Sequence, residues 1–187
     1  MMMKQSLSKT FALIRSDMQF RCDYEHKTLS VIQTLIFLLN HSVMSQVLFR
    51  LQGFFFSHQL GLVASLLHSI NGIIFTVRID SGAQIDEGFL LLHANYVNIG
   101  KNVKLGKRCV LTQQISIGPA FTMDETSTAK QQGPDIGDDV LIGVGASIFG
   151  AITIGSNSTI GINSAVDKSF PSKSVLIGVP AKNMSLG

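Results

Sequence analysis

Six aliphatic residues recur at a strict spacing of six in the last third of this 187-residue chain: Ile136, Ile142, Ile148, Ile154, Ile160 and Val166. A period of six fits neither the 3.6-residue turn of a helix nor the two-residue alternation of a strand hairpin. It fits a solenoid in which each hexad supplies one short straight face and a corner. Glycine follows four of the six residues, where the backbone must turn. The repeat therefore predicts stacked coils with the aliphatic side chains in one continuous core.

The same register continues toward the N terminus in two further runs: Ile99, Leu105, Leu111 and Ile117, then, after a slip of two residues, Ile79, Ile85, Leu91 and Val97. Three faces close a triangular coil, and stacked faces pair as parallel strands. The fourth residue after each aliphatic is small or compact, as expected for a second inward position near a corner: Ala146, Ile152, Ser158 and Ser164. The predicted solenoid begins near Arg78. It is interrupted by a loop at residues 119–134.

Composition limits the functions that this chain can have. The formal net charge is only +3, no Lys/Arg run occurs, and aromatic residues do not alternate with basic ones, so nucleic acid is not an expected partner. Cys22 and Cys109 lack the spacing of a disulfide framework, and Cys109 falls at a small inward position. The first apolar run, residues 11–14, is too short for an export signal. We expect a cytoplasmic protein, with the inner membrane surface as an alternative location.

The N-terminal part has a different composition. Residues 1–27 are polar, predicting a short helix and a loop with Asp17 and Asp23 as surface charges. Residues 28–77 contain one charge, Arg50, and apolar residues at helical spacing, which predicts two or three helices. Uncharged runs of about 20 residues also suit a membrane span. Their Gln, Asn and His side chains are costly in lipid, so packed helices are favoured and peripheral membrane attachment stays open. The domains are then a helical segment, 1–77, and a solenoid, 78–187.

Several motifs together resemble the hexapeptide-repeat acyltransferases, and within them the serine acetyltransferase branch. They are the segments at 79–83, 91–94 (Leu-Leu-His-Ala), 113–118, 142–146 (Ile-Gly-Val-Gly-Ala) and 178–182 (Gly-Val-Pro-Ala-Lys). The resemblance covers residues 45–182. It implies a mainly β protein built as a left-handed parallel β-helix, a homotrimer with active sites between subunits, and acetyl-CoA as donor without a metal.

His93 is the candidate general base. It is the only histidine in the predicted solenoid, and a neutral imidazole suits proton abstraction near pH 7. The resemblance assigns the same role to the histidine of a Leu-His-Ala segment. A metal-dependent β-helix enzyme of the carbonic anhydrase type would need several histidine ligands there, which argues against it. Matched motifs imply cofactor contacts at Gly118, Gly143, Val144, Gly145, Ala146 and Ile162, with Lys182 near a phosphate.

Departures from the serine acetyltransferase pattern bear on the acceptor. Arg78 stands where the family has an aspartate, Leu92 replaces the aspartate before the histidine, and Gln132-Gly133 replace an Arg-His pair. Neutral groups cannot hold an ammonium and a carboxylate as strongly as charged ones. We therefore expect a sugar or polysaccharide acceptor, as in exopolysaccharide O-acetyltransferases, bound by Asn95, Gln113, Gln114 and Gln132. Serine O-acetylation in cysteine biosynthesis and a non-catalytic β-helix scaffold are the alternatives, and a membrane-bound acyl carrier is less favoured.

Overall fold

A cap of helices precedes a parallel β-solenoid. The computed structural model describes residues 4–120 and 132–185. Its helices are α1 Leu7–Tyr24, α2 Val31–Phe37, α3 His41–Ser57 and α4 Gly61–Ile74. The strands are β1 Val77–Ile79, β2 Gln84–Ile85, β3 Leu90–Leu91, β4 Val97–Ile99, β5 Lys104–Leu105, β6 Val110–Leu111, β7 Ser116–Gly118, β8 Asp135–Ile136, β9 Leu141–Ile142, β10 Ser147–Phe149, β11 Thr153–Ile154, β12 Thr159–Ile160, β13 Ala165–Val166, β14 Val175–Ile177 and β15 Lys182–Asn183. Residues 121–131, most of the predicted loop, lie outside the described residues.

From β1 to β13 every third strand belongs to the same sheet, as a triangular coil requires. In the described residues the first face has the order β1-β4-β7-β10-β13, the second β2-β5-β8-β11, and the third β3-β6-β9-β12-β14. Pairing is parallel throughout these faces, with Leu91 opposite Leu111, for example. The antiparallel strand β15 then pairs with β14 and covers the C-terminal end of the third face. The predicted parallel β-helix is confirmed.

The core follows the hexad repeat. Ile142, Ile148, Ile154 and Ile160 have no exposed surface. The small positions are also inside, because Ser158 and Ser164 are each only 1% exposed. Their buried hydroxyls are paired: Ser158 Oγ donates to the Gly155 carbonyl at 2.7 Å, for instance. Hydrophobic burial of stacked aliphatics therefore holds the coils together, and hydroxyls at the corners bond to backbone.

The helical cap partly departs from expectation. The helix in residues 1–27 is not short: α1 has 18 residues and is capped by Ser6, whose side chain accepts from the Lys9 N–H. Residues 28–77 form three helices, within the predicted number. Asn40 caps α3 and accepts from the N–H groups of Ser42 and Val43. The sequence of α1 is too polar to predict a long helix. One narrow buried face is nevertheless enough to stabilise a helix that packs on a rigid scaffold.

Helices α1 and α3 take the place of a missing coil. The first coil has no coil before it, so its outer edge would present unpaired carbonyls. A covered edge also prevents another chain from stacking there. Buried polar side chains of the two helices donate to these carbonyls: Gln52 to Ile79, Arg50 to Ile85 and Asp86, Gln46 to Phe89, and Arg21 to Leu91.

Asp17 belongs to this buried layer, so its prediction as a surface charge is wrong. The residue is only 4% exposed. Its carboxylate accepts from Arg50 Nε at 2.8 Å and from the Phe89 N–H at 2.9 Å. Burial raises the pKa of the Asp17 carboxyl above its ordinary value, and the Arg50 guanidinium and the backbone donors oppose that shift. Nothing local in sequence reveals a partner 33 residues away.

The outer surface of the cap is strongly apolar. Arg50 is the only charged residue between positions 28 and 77, and it is buried. Exposed apolar side chains concentrate on α2 and α4: Val31, Ile32, Leu35, Ile36, Leu62, Leu66, Ile73 and Ile74. Among the described helices none is long and apolar enough by itself to cross a bilayer, whereas α2 and α3, bent by 89° at their junction, reach that length and composition only together.

Candidate active site

His93 lies at the corner of the first coil that leads from β3 to β4. Leu91, two residues earlier, is fully buried, whereas His93 is exposed. The His93 carbonyl accepts from the Asn95 N–H at 3.0 Å, which closes the turn. Its imidazole makes no hydrogen bond with any residue in the described part of the chain. The ring is thus presented to the outside of the coil, where an acceptor hydroxyl can reach it.

Strand register stacks four candidate residues along this corner. Leu91 pairs with Leu111, Leu111 with Ile142, and Ile142 with Ile160. Two residues beyond each of these come His93, Gln113, Val144 and Ile162. We call this set the corner column. Adjacent coils are about 4.8 Å apart, so the column spans about 14 Å from His93 to Ile162. Residues far apart in sequence are therefore aligned along one extended surface.

The column suits an elongated ligand that carries amides. Gln113 Oε1 is buried and has no hydrogen-bond partner among the described residues. A buried acceptor left unpaired is costly, so this oxygen is ready to accept from an N–H of a bound molecule. The next residues along the column, Val144 and Ile162, are apolar, and Ile162 is 70% exposed. The pantetheine arm of coenzyme A has both features, amide N–H groups and methylene segments.

The glycines of the 142–146 segment are explained by the fold itself. A Cβ on Gly143 would lie 2.8 Å from the Ile160 carbonyl oxygen of the next coil. Gly145 has φ +73°, in the left-handed region. Ala146 is fully buried, and its N–H and carbonyl are both engaged in backbone hydrogen bonds. Gly118 ends β7 and packs against Phe149, away from the corner column in the coil. Cofactor contacts at these positions stay predictions.

Three other candidate residues lie at two separate places on the solenoid. Asn95 is exposed two residues after His93, and its side chain accepts from the Thr76 hydroxyl at 3.2 Å. Gln114 is also exposed, and its N–H donates to the Asn95 carbonyl at 2.9 Å. Lys182 is exposed on β15, opposite Ile177. Asn95 and Gln114 thus flank the corner column beside His93, whereas Lys182 lies at the C-terminal end of the solenoid.

Gln132 occupies a different corner of the triangle. It precedes β8 and lines a groove of about 430 Å³ on the second face, with Gly133, Lys104 and Asp135 among its neighbours. In this groove Lys104 Nζ lies 3.5 Å from Asp135 Oδ2, and both side chains are more than half exposed. A single chain therefore does not bring Gln132 beside His93. Arg78, which stands where the resembling family has an aspartate, points outward from β1, and its side chain reaches Gly72 of α4.

Sequence reasoning missed the residues that support the His93 corner from the cap. Ser42 of α3 bonds to the backbone on both sides of His93, at Leu92 and Ala94. Thr76, between α4 and β1, accepts from the Tyr96 N–H at 3.1 Å. Neither residue belongs to a motif. Only the docking of the cap on the first coil brings them to this corner.

Comparisons with known proteins agree with this architecture. Residues 135–168 match the family model described as the hexapeptide repeat of succinyl-transferase. The serine acetyltransferase of Staphylococcus xylosus is 35% identical over 122 residues, which are 64% of this chain and 53% of that protein. The structure of Neisseria gonorrhoeae serine acetyltransferase in complex with serine has a TM-score of 0.78 and 26% identity, covering 94% of this chain and 69% of the other. That of Brucella abortus serine acetyltransferase in complex with coenzyme A has a TM-score of 0.82 and 25% identity, covering 95% and 68%.

These findings confirm the predicted fold and contradict the predicted acceptor. The solenoid matches the left-handed β-helix of the serine acetyltransferases, as predicted. The prediction of a sugar or polysaccharide acceptor is contradicted, because the matched relatives and solved structures are serine acetyltransferases, and the exopolysaccharide type has no support. Neutral residues at positions 92, 132 and 133 do not exclude an amino acid acceptor, because ionic contacts can be supplied by other positions of a surface. The chain spans about half the length of the curated relatives that it matches.

Proposed function

We propose that this chain, whose solenoid carries the hexapeptide repeats of the acyltransferases, transfers an acetyl group from acetyl-CoA to the hydroxyl of L-serine. The observation that carries the proposal is the corner column, in which one exposed histidine is aligned with an unpaired buried amide oxygen and an apolar strip. The similarity to serine acetyltransferases supports the choice of substrates.

In this mechanism His93 acts as general base. Its imidazole accepts the proton of the serine hydroxyl while the hydroxyl oxygen attacks the acetyl carbonyl. A positioned general base typically raises the reaction rate about 10²–10⁴-fold. The same imidazolium then returns its proton to the departing thiolate. The exposed ring, free of other hydrogen bonds among the described residues, can approach the hydroxyl directly.

The chain's own residues fit the donor. Acetyl-CoA supplies an activated thioester when bound. Gln113 Oε1 would accept from an amide N–H of its pantetheine arm, and Val144 and Ile162 would contact the methylene and methyl groups. Lys182 carries the positive charge suited to a phosphate. These contacts would hold the thioester at the His93 end of the column.

The groove beside Gln132 offers the charges for a zwitterionic acceptor. Lys104 and Asp135 form only a long, exposed contact, so each is free to exchange its partner for an ion of the substrate. The Lys104 ammonium would bind the serine carboxylate, and the Asp135 carboxylate would bind the serine ammonium. Gln132 would add a neutral hydrogen bond. Lys104 and Asp135 would take the role of the Arg-His pair that the resembling family has where this chain has Gln132-Gly133.

Assembly is part of the proposal, because the groove and His93 lie at different corners of one chain. In a homotrimer, as the resemblance implies, the groove of one subunit would face the His93 corner of its neighbour and complete the site. Burial of apolar surface would favour such contacts. Light scattering in the absence of detergent tests this arrangement: a trimer or a multiple of three is expected, and a stable monomer would contradict it.

The exposed apolar side chains of α2 and α4 lie outside this site. We propose secondarily that these side chains attach a cytoplasmic protein peripherally to the inner membrane surface. Flotation of the purified chain with anionic vesicles tests it, and recovery of all protein in the soluble fraction would exclude attachment.

One experiment decides the main proposal. Purified protein is given acetyl-CoA with L-serine, and thiol release is followed against serine concentration. Saturable turnover with a KM in the ordinary range, about 1 μM–1 mM, is expected. D-Serine and glycerol are matched controls, since one has the wrong chirality and the other has hydroxyls without the ionic groups. No turnover above these controls would overturn the proposal, and donor-independent binding of serine alone would favour the scaffold.

A further inference from the structure

We propose that Ser42 is a positioning residue for His93, and that its single hydroxyl fixes the backbone on both sides of the base. Ser42 Oγ donates to the Leu92 carbonyl at 3.2 Å and accepts from the Ala94 N–H at 2.9 Å. His93 is the one residue between these two groups. This inference rests on the proposed role of His93 as general base.

The corner needs such a clamp because it belongs to the first coil. In the second coil the residue equivalent to Ala94 is Gln114. Its N–H donates to the Asn95 carbonyl of the first coil, which holds it in place. No coil precedes the first coil, so without Ser42 the Ala94 N–H and the Leu92 carbonyl would have no partner on their N-terminal side. A hydroxyl can donate and accept at once, and Ser42 uses both capacities.

Ser42 is itself held rigidly. It is only 5% exposed, and its N–H donates to the Asn40 side chain at the start of α3. Further along, α3 is fixed to the same coil through Gln46 and Arg50. The clamp therefore transmits the position of a whole helix to the corner, rather than the position of one mobile side chain.

The catalytic consequence follows from geometry. Reacting atoms must approach within about 3–3.5 Å, and a displacement of about 1 Å can cost about 10²-fold in rate. His93 makes no side-chain hydrogen bond within the described residues, so its placement depends on its own backbone. Loss of the clamp should thus reduce turnover while leaving the more distant column, and hence donor binding, intact.

The test compares Ser42→Ala with Ser45→Ala. Ser45 lies one turn later on α3, is fully buried, and its hydroxyl has no hydrogen-bond partner among the described residues. The two variants therefore remove the same atom from the same helix, once with and once without bonds to the corner. Amide hydrogen exchange at Ala94, kcat for serine acetylation and the Kd for coenzyme A are measured for both.

We expect Ser42→Ala to accelerate exchange at Ala94 and to lower kcat about 10–10²-fold, with the Kd for coenzyme A unchanged; Ser45→Ala should match the unmodified protein in all three. Unchanged exchange at Ala94 in Ser42→Ala would overturn the clamp, whatever the enzyme does. Faster exchange with full kcat would overturn the positioning role and leave the proposed function standing. Unmodified protein that does not acetylate serine would overturn the proposed function first, a result distinct from both.

Discussion

The Asp17 carboxylate and the Arg50 guanidinium form a buried two-bond ion pair between α1 and α3, with Nε to Oδ2 at 2.8 Å and Nη2 to Oδ1 at 3.0 Å. Both partners also bond to the first coil, Asp17 through the Phe89 N–H and Arg50 through the Ile85 and Asp86 carbonyls. The pair thus joins two helices and the solenoid in one network. An ion pair in this setting is most costly when only one partner is removed.

Asp17→Ala should lower the free energy of unfolding by about 3–5 kcal/mol, because it leaves the Arg50 charge buried without its counterion. Chemical denaturation measures the change. Asp139→Asn is the control, since Asp139 also makes two bonds to an arginine, Arg108, but at the surface, and asparagine tolerates the φ of 56° at this position. That variant should differ little from the unmodified protein. Equal losses in both variants would contradict the importance of burial.

His93→Asn should retain the fold and lose about 10²–10⁴ in kcat for acetyl transfer, the usual contribution of a positioned base. His26→Asn makes the same substitution at an exposed histidine with φ 54°, a conformation that asparagine tolerates. It should keep full activity. Steady-state kinetics with matched circular dichroism decide the outcome, and full activity of His93→Asn would remove the proposed base.

Ile148→Ala should cost about 2–5 kcal/mol through a cavity between coils, because Ile148 has no exposed surface. Ile162→Ala removes the same atoms from a side chain that is 70% exposed. Its effect on thermal unfolding without coenzyme A should be much smaller. Similar melting temperatures for the two variants would contradict the inward placement of Ile148.

Cys109 should make stability depend on alkaline pH. Burial raises the pKa of its thiol from 9.0 to about 11. Between these values the unfolded chain has lost the thiol proton while the folded chain keeps it, so stability is fully present below pH 9 and falls as pH rises toward 11. At 1.36 kcal/mol for each pKa unit, the loss is about 2–3 kcal/mol. Cys109→Ala should lack this component, and identical pH profiles of unfolding free energy would contradict it.

Lys104→Gln should raise the KM for serine about tenfold or more while leaving the KM for acetyl-CoA unchanged, because it removes the cation proposed to bind the serine carboxylate. Lys107→Gln is the control. Lys107 is another half-exposed lysine paired with a carboxylate, Glu87 at 2.9 Å, but does not line the groove. An unchanged KM for serine in Lys104→Gln would exclude this groove as the acceptor site.

The acceptor shows where sequence reasoning about this site failed. The neutrality of Leu92, Gln132 and Gly133, set against the charged residues of the resembling family, disfavours L-serine and predicts a sugar acceptor. The groove that contains Gln132 also contains Lys104 and Asp135, which no motif identifies. Charge at a site is a property of everything that lines it, and the lining is not contiguous in sequence.

The sequence by itself determined the solenoid and the inward-facing register of its hexads, because a six-residue period dictates locally which side chains face inward, and each coil repeats the one before. Only the tertiary structure decided how the first coil is closed. The bonds of Arg50 to Asp17 and Ile85, and of Ser42 to Leu92 and Ala94, join residues 33 to 52 positions apart. Those pairings depend on how the helices dock on an unpaired strand edge, and no periodic signal in the chain encodes that contact.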